Sequence, residues 1–349
     1  MIYQPQNPLL SLQDVCLVPS AITTISSRSE CNPFFMKGLL PLATAPMSCV
    51  LNQDNWELFA KEGILTVLPT TIPLDIRLQL MPSTFVSFSL REFEEVFLAT
   101  DKSQEILESL RQNELQAKVC IDVANGHMAT LLEACKKAKE LFEDSIILMT
   151  GNIANPATYL EYARIGIDFV RVGIGTGSRC TTSANLGVHF PIASLFSSIR
   201  SIQISENLPY YPKIMADGGF KNFDEIIKAI ALGADFVMCG KLFAQAEEAC
   251  GQILEGMYME EDGKEYKQRE YFGMSTKIAQ TLRGSSRLRT SEGISKPVPI
   301  KYSIKAWVEN FKDYLTSAMS YSNSRTLSEF QANALVFRIS SESRIAYFK

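Results

Sequence analysis

Residues 173–182 read GIGTGSRCTT. A glycine-rich turn leads into Cys180, and Thr181 and Thr182 follow. A lone cysteine is usually a small buried hydrophobe. This one closes a turn several residues past an apolar run, where it would face whatever the turn binds, and its thiolate would be a nucleophile. Thr181 and Thr182 are placed to deliver or accept a proton beside it. Glu292, in RTSEG (289–293), is the carboxylate best suited to help. A solvated loop glutamate is the plainer role for it. A turn this rich in glycine points several N–H or C=O groups inward, so it can bind an anion, or its carbonyls can ring a monovalent cation.

Two further motifs suggest the substrate. ADGG (216–219) and CGK (239–241) each follow an apolar run. Glycines at such ends let a phosphate approach backbone N–H groups. Asp217 cannot hold a phosphate, because like charges repel, but it suits a ribose diol. Phosphate beside diol points to a nucleotide.

These motifs need a scaffold that brings them to one end. Eight short apolar runs recur, at 41–45, 64–68, 84–88, 118–123, 145–150, 168–173, 213–217 and 235–240. Helix-like stretches lie between them, among them 129–142, 156–166 and 222–233. Strands alternating with helices predict a parallel sheet, and eight units predict a closed (β/α)8 TIM barrel within one α/β catalytic domain spanning 1–349. Function should then sit at the strand ends APMS, DVANG, TGN, GIGTGSRCTT, ADGG and CGK, since barrels place their sites there. Residues 1–40 form an N-terminal extension. Residues 248–300 are a polar insertion after the eighth strand, read in part as an active-site flap. Residues 301–349 form a C-terminal helix, expected over 303–320, and a tail.

Composition narrows the class. The net charge is −4 and the basic residues are dispersed, which argues against a nucleic-acid polymer as partner. The cysteines, at 16, 31, 49, 120, 135, 180, 239 and 250, form no C-x-x-C, and there are only two histidines, so a structural zinc site is not expected. Scattered thiols read as reduced, in a cytoplasmic protein. Neither a signal peptide nor a membrane span is expected.

GIGTGSRCTT, then GVHFP (187–191), then ADGG resembles the IMP dehydrogenase/GMP reductase family, whose loop usually reads G-x-G-P-G-S-x-C-T-T followed by G-V-G-x-P. Similar stretches run through most of the chain: LSLQDVCLVPS (10–20), PLATAPMSCV (41–50), GNIANPATY (151–159), GADFVMCGKLFA (233–244) and YFGMS (271–275). The resemblance implies a barrel, usually a homotetramer, that binds a purine 5′-monophosphate and reacts at C2 of the base through a thiolate. DVANG, GMST and RTSEG look like the reductase branch. So does the short segment 273–293, which lacks the Arg-Tyr pair that activates water in dehydrogenases. No inserted CBS pair is present. The implied reaction is NADPH-dependent deamination of GMP to IMP.

By the same resemblance, Cys180 is the nucleophile, and Thr182 and Glu292 relay the proton. Ser178, Gly219, Gly240, Lys241 and Tyr271 would hold the phosphate, and Asp217 the ribose. Met274, Ser275, Arg289, Ser291 and Gly293 would face the purine. Asp122, Asn125, Gly126 and Ser275 would lie on the nicotinamide side. The carbonyls of Gly175, Gly177 and Cys180 would take a potassium ion. Four departures stand out: Thr176 replaces the usual Pro, Arg179 a small apolar residue, Lys241 the common Gly or Ser, and LPTTIP (68–73) the usual His-Lys. The last leaves room for a modified purine nucleotide as substrate. A short IMP dehydrogenase and a non-catalytic nucleotide-binding protein would share most of these motifs. Arg283, Arg287 and Arg289 suit the 2′-phosphate of NADPH and equally a solvated charged loop, so NADPH follows mainly from the resemblance.

Overall fold

The eight apolar runs become parallel strands, each walled by helices outside and a packed lumen inside. The computed structural model describes residues 8–347 apart from 37, 179, 261 and 285–292. The strands are β1 (Leu42–Thr44), β2 (Val67–Leu68), β3 (Phe85–Phe88), β4 (Ala117–Ile121), β5 (Ile146–Ile153), β6 (Phe169–Val172), β7 (Lys213–Asp217) and β8 (Phe236–Cys239). Each pairs in parallel with the next from β2 to β8, and β8 returns to β1, with Leu42, Ala43 and Thr44 opposite Val237, Met238 and Cys239. The seam between β1 and β2 is closed by a single parallel bridge, Ala43 to Leu65. This is the (β/α)8 barrel expected from the strand count.

Side chains alternate along each strand. On β6, Val170 and Val172 join the apolar layer under the helices, while Phe169 packs into the lumen. The floor of the lumen is aromatic: Phe169 lies 5.3 Å from Phe85 and 5.9 Å from Phe236, centroid to centroid. Phe35, from the N-terminal extension, plugs the bottom at 5.0 Å from Phe236. Cys120, Met149, Met215 and Met238 fill the next level. One step higher the same alternation brings Asp122, Arg171 and Asp217 to the mouth.

The helices follow the sequence pattern. Ala129–Phe142 forms as expected. Pro156–Arg164 starts with Asn155 accepting from the Ala157 N–H, and Phe223–Ala231 follows β7. Both stop before the glycines at 166 and 233, where the chain turns into the next strand. Helix Ile304–Tyr321 closes the barrel wall: Trp307 stacks on Phe311 at 5.6 Å and meets Phe223 and Phe243 at 5.0 and 5.3 Å. Complete burial of a ring such as Phe311 contributes about 1.5–3 kcal/mol.

Two regions are more ordered than their polarity suggests. The 248–300 insertion builds an antiparallel sheet of β9 (Ile253–Met259), β10 (Glu265–Phe272) and β11 (Ser295–Pro299), with a short helix Lys277–Leu282. The segment expected as a tail after residue 320 also folds. Helix Leu327–Asn333 leads to Leu335–Arg338, which pairs antiparallel with Val15–Val18 of the N-terminal extension. Among the described residues no helix is long and apolar enough to cross a membrane.

Candidate active site

The loop after β6 and the loop after β7 interlock. Thr176 Oγ1 donates to the Asp217 carbonyl at 3.1 Å. Gly219 has φ +69°, and a Cβ there would lie 1.9 Å from the Thr176 carbonyl oxygen, so only glycine lets the loops meet. The turn then tightens, with the Cys180 N–H donating to the Gly177 carbonyl at 3.0 Å. Cys180 is exposed, and its Sγ donates to Thr182 Oγ1 at 3.0 Å. Its backbone makes an antiparallel bridge with Gly293, so the insertion reaches the thiol. Glu292, Ser291, Arg289, Arg287 and Arg179 lie outside the described residues.

The other cysteines are unsuited to such a role. Burial pushes the thiols of Cys49, Cys120 and Cys135 up to about 12, and that of Cys250 to about 11. Burial drives Cys239 higher still. Cys180 alone combines exposure with a hydroxyl acceptor in a strand-end loop.

The expected phosphate group gathers on adjoining strand ends. Gly240 follows β8 as the N-cap of the short helix Lys241–Ala244, and Tyr271 on β10 is buried against it. A Cβ on Gly240 would lie 2.8 Å from Tyr271 Oη, which donates to Met47 Sδ at 3.7 Å. Ser178 and Gly219 belong to the interlocked loops beside β7. Tyr271 is held there by an unexpected residue. Arg269, 2% exposed, donates to the carbonyls of Gly251 (3.1 Å), Ala244 (3.0 Å), Ala246 (2.5 Å) and Glu247 (3.1 Å). Burial lowers its pKa, since only carbonyl dipoles are bonded to the guanidinium. This ties the insertion to the loop after β8. Beyond β10, Met274 Sδ accepts from Ser48 Oγ at 3.8 Å, and the Met274 carbonyl accepts from Arg283 Nη2 at 2.6 Å. Arg283 is thus bound to the turn it follows. The Ser275 carbonyl accepts from Gln280 Nε2 at 3.1 Å.

On the opposite side, Asp122 follows β4. Asn125 Oδ1 accepts from the His127 N–H, and the Gly126 N–H donates to the Asn152 carbonyl at 2.8 Å. His127 braces this loop: its Nε2 accepts from the Ala154 N–H at 3.0 Å, so its Nδ1–H faces Thr158 Oγ1 at 2.8 Å. Burial lowers the His127 pKa, which favours the neutral ring that this pairing requires.

Between the two sides lies a buried ionic network. Arg171, whose side chain is 7% exposed, donates from Nη1 to Asp122 Oδ1 at 2.5 Å. Its Nε and Nη2 donate to Asp217 Oδ2 at 3.2 and 2.7 Å. Asn152 Nδ2 donates to the same oxygen at 2.7 Å and to the Gly173 carbonyl at 2.9 Å. Burial alone would lower the Arg171 pKa, but the two carboxylates outweigh it and hold the guanidinium well above its usual range. Asp217 thus spends Oδ2 on protein donors, while Oδ1 accepts no hydrogen bond among the described residues.

The Gly175 carbonyl accepts from Ser183 Oγ at 3.0 Å, and the Gly177 carbonyl from the Cys180 N–H. Each of these two carbonyls thus accepts one hydrogen bond from within the turn. Among the described residues no cluster of three or more His, Cys, Asp or Glu is placed for a metal. In LPTTIP, Thr70 Oγ1 is buried with no hydrogen-bond partner among the described residues.

Sequence reasoning missed Arg171, Asn152, Thr176 and Arg269 as site-shaping residues. A signal existed for the first: an arginine inside the apolar run DFVRVG has to point at a partner in the lumen. Arg269 carried no comparable signal, because its acceptors are main-chain atoms.

Known proteins resemble this chain over much of its length. Residues 95–346 match the family model described as "IMP dehydrogenase / GMP reductase domain". A GMP reductase of Onchocerca volvulus is 33% identical over 66% of this chain and 60% of its own length. A GMP reductase of Ascaris suum is 27% identical over 98% of this chain and 96% of its own. An inosine-5′-monophosphate dehydrogenase of Methanocaldococcus jannaschii is 34% identical over 62% of this chain and 45% of its own. The chain therefore spans about three fifths of the Onchocerca relative, and 61% of a Caenorhabditis elegans GMP reductase.

Proposed function

The chain belongs to the IMP dehydrogenase/GMP reductase family, and on that premise we propose that it reduces GMP to IMP and ammonia with NADPH. The observation that carries the reading is the exposed Cys180 thiol hydrogen-bonded to Thr182 at the barrel mouth. In this reading the thiol gives its proton to Thr182 and Sγ attacks C2 of the guanine. The relay through Thr182 and Glu292 protonates the leaving amine, ammonia departs, and a thioimidate remains on Cys180. NADPH, when bound, supplies the hydride at C2. The C2–S bond then breaks and the thiolate is regenerated.

The remaining residues bind and orient. Ser178, Gly219, Gly240, Lys241 and Tyr271 take the phosphate. Asp217 Oδ1 takes the ribose diol. Met274, Ser275, Gly293, Arg289 and Ser291 face the purine. Asp122, Asn125, Gly126 and Ser275 fit the nicotinamide side, because among the described residues no hydrogen bond engages Asp122 Oδ2 or the Asn125 amide N–H groups, which suit a carboxamide and ribose. A cytoplasmic homotetramer is part of the same reading.

The test is reduced-nicotinamide absorbance in two reactions, GMP with NADPH and IMP with NAD⁺. Absorbance should fall in the first only, with ammonia released, and Cys180→Ala should abolish it. A rise in the second, with XMP formed, would make the protein a dehydrogenase. GMP binding without turnover in either would make it a non-catalytic nucleotide binder. Turnover with another purine nucleotide alone would move the substrate.

A further inference from the structure

The guanidinium of Arg171 reaches both sides of the proposed site at once. Nη1 is bound to Asp122 on the nicotinamide side, while Nε and Nη2 are bound to Asp217 on the ribose side. Asp122 follows β4 and Asp217 ends β7, strands three apart around the barrel that no backbone ladder joins directly. Their side chains are only 16% and 20% exposed, so each would repel the other across the lumen without a cation between them. Arginine suits this place because its planar fork offers donors in two directions, whereas a lysine ammonium would be a point charge.

We infer that Arg171 is a positioning residue that couples the nucleotide and cofactor subsites, holding Asp122 and Asp217 in their binding orientations through one shared cation. The inference rests on the proposed reaction and adds to it a linkage between two ligands. When GMP fixes Asp217, Arg171 is fixed and so is Asp122; the reverse holds for NADPH. The coupling is reciprocal in binding free energy. Arg171 forms no bond to Cys180, so its loss should act on binding, not on the chemical step.

Three measurements test this. In Arg171→Lys the KM values for GMP and NADPH should both rise about tenfold while kcat falls less than about threefold, because a single ammonium cannot serve both carboxylates. Calorimetry with GMP alone gives the second. Asp122→Asn, on the cofactor side, should weaken GMP binding about threefold or more in the wild-type background and not at all in Arg171→Lys, the non-additivity expected of one network. If Arg171→Lys misfolds, Arg171→Met with Asp122→Asn removes the cation together with one anion and should still raise the GMP Kd. A rise in only one KM, a fall in kcat with both KM values unchanged, or an Asp122→Asn effect that persists in Arg171→Lys would overturn the coupling. Absence of GMP turnover in the wild type would overturn the proposed reaction, and the inference with it. Wild-type activity with unchanged KM values in the variant would overturn the inference alone.

Discussion

Arg171 and Arg269 are both buried at the working end of this barrel, and they are stabilised in opposite ways. Arg171 sits between two carboxylates, which hold its proton more firmly than water would. Arg269 meets four main-chain carbonyls, and burial weakens its hold on the proton. A guanidinium can therefore serve as a counter-ion or as a multiple hydrogen-bond donor. The first use links side chains that meet ligands. The second fixes backbone, here the joint between the insertion and the loop after β8.

The largest effect should come from breaking the charge balance. Arg171→Met leaves two mostly buried carboxylates unpaired and should cost about 3–5 kcal/mol, read as a fall in the urea midpoint. Adding Asp122→Asn should recover part of that loss. Arg269→Met should cost about 3 kcal/mol through its four stranded carbonyls, and no acid-to-amide change should rescue it. Rescue of Arg269→Met by such a change would erase the distinction between the two sites.

A smaller effect separates them by pH. The folded pKa of His127 is depressed, so its contribution to stability is fully present above the unfolded value near 6.5 and is lost as pH falls through the lower folded value. Protonation of Nε2 breaks its bond from Ala154, so amide exchange should rise at 125–127 and 154 in acid. The carbonyl cluster around Arg269 should not respond over that range. A His127→Asn variant should show no such acid response. Smallest of all, Thr176→Val removes one bond between the two interlocked loops and should cost about 1 kcal/mol by thermal unfolding.

The sequence pattern carried the barrel because its signals are local and repeated: PLATA, KVCIDV and KIMAD are strand runs whatever surrounds them, and Gly166 and Gly233 mark the helix ends. Cys180 and Thr182 were legible because a glycine-rich turn is conspicuous. The insertion was harder. Its strand β9 exposes Ile253, Met257 and Met259, and the polar residues around them give no clean alternation. Pairing of Val15–Val18 with Leu335–Arg338 could not be read at all, since nothing local links residues so far apart. Arg269 escaped for the same reason, as carbonyl acceptors leave no trace in residue identity. Arg171 was visible in DFVRVG, yet its partners emerge only when β4, β6 and β7 curve around one lumen.

The barrel wall is uneven. β2 has two residues, and its bond to β1 rests on the Ala43–Leu65 bridge, with Thr44 N–H to Leu65 carbonyl at 2.9 Å and Leu65 N–H to Leu42 carbonyl at 3.0 Å. The Val67 N–H finds only a side chain, Thr44 Oγ1, at 2.9 Å. Every other junction between barrel strands is a ladder of successive residue pairs. Thermal fluctuation will thus part this seam at a lower free energy than any other, so the amides of Leu65 and Val67 should take up deuterium before those of β4 to β7. LPTTIP, the loop that holds the buried Thr70 hydroxyl, begins at the last residue of β2. The barrel thus has a natural breathing line beside its mouth.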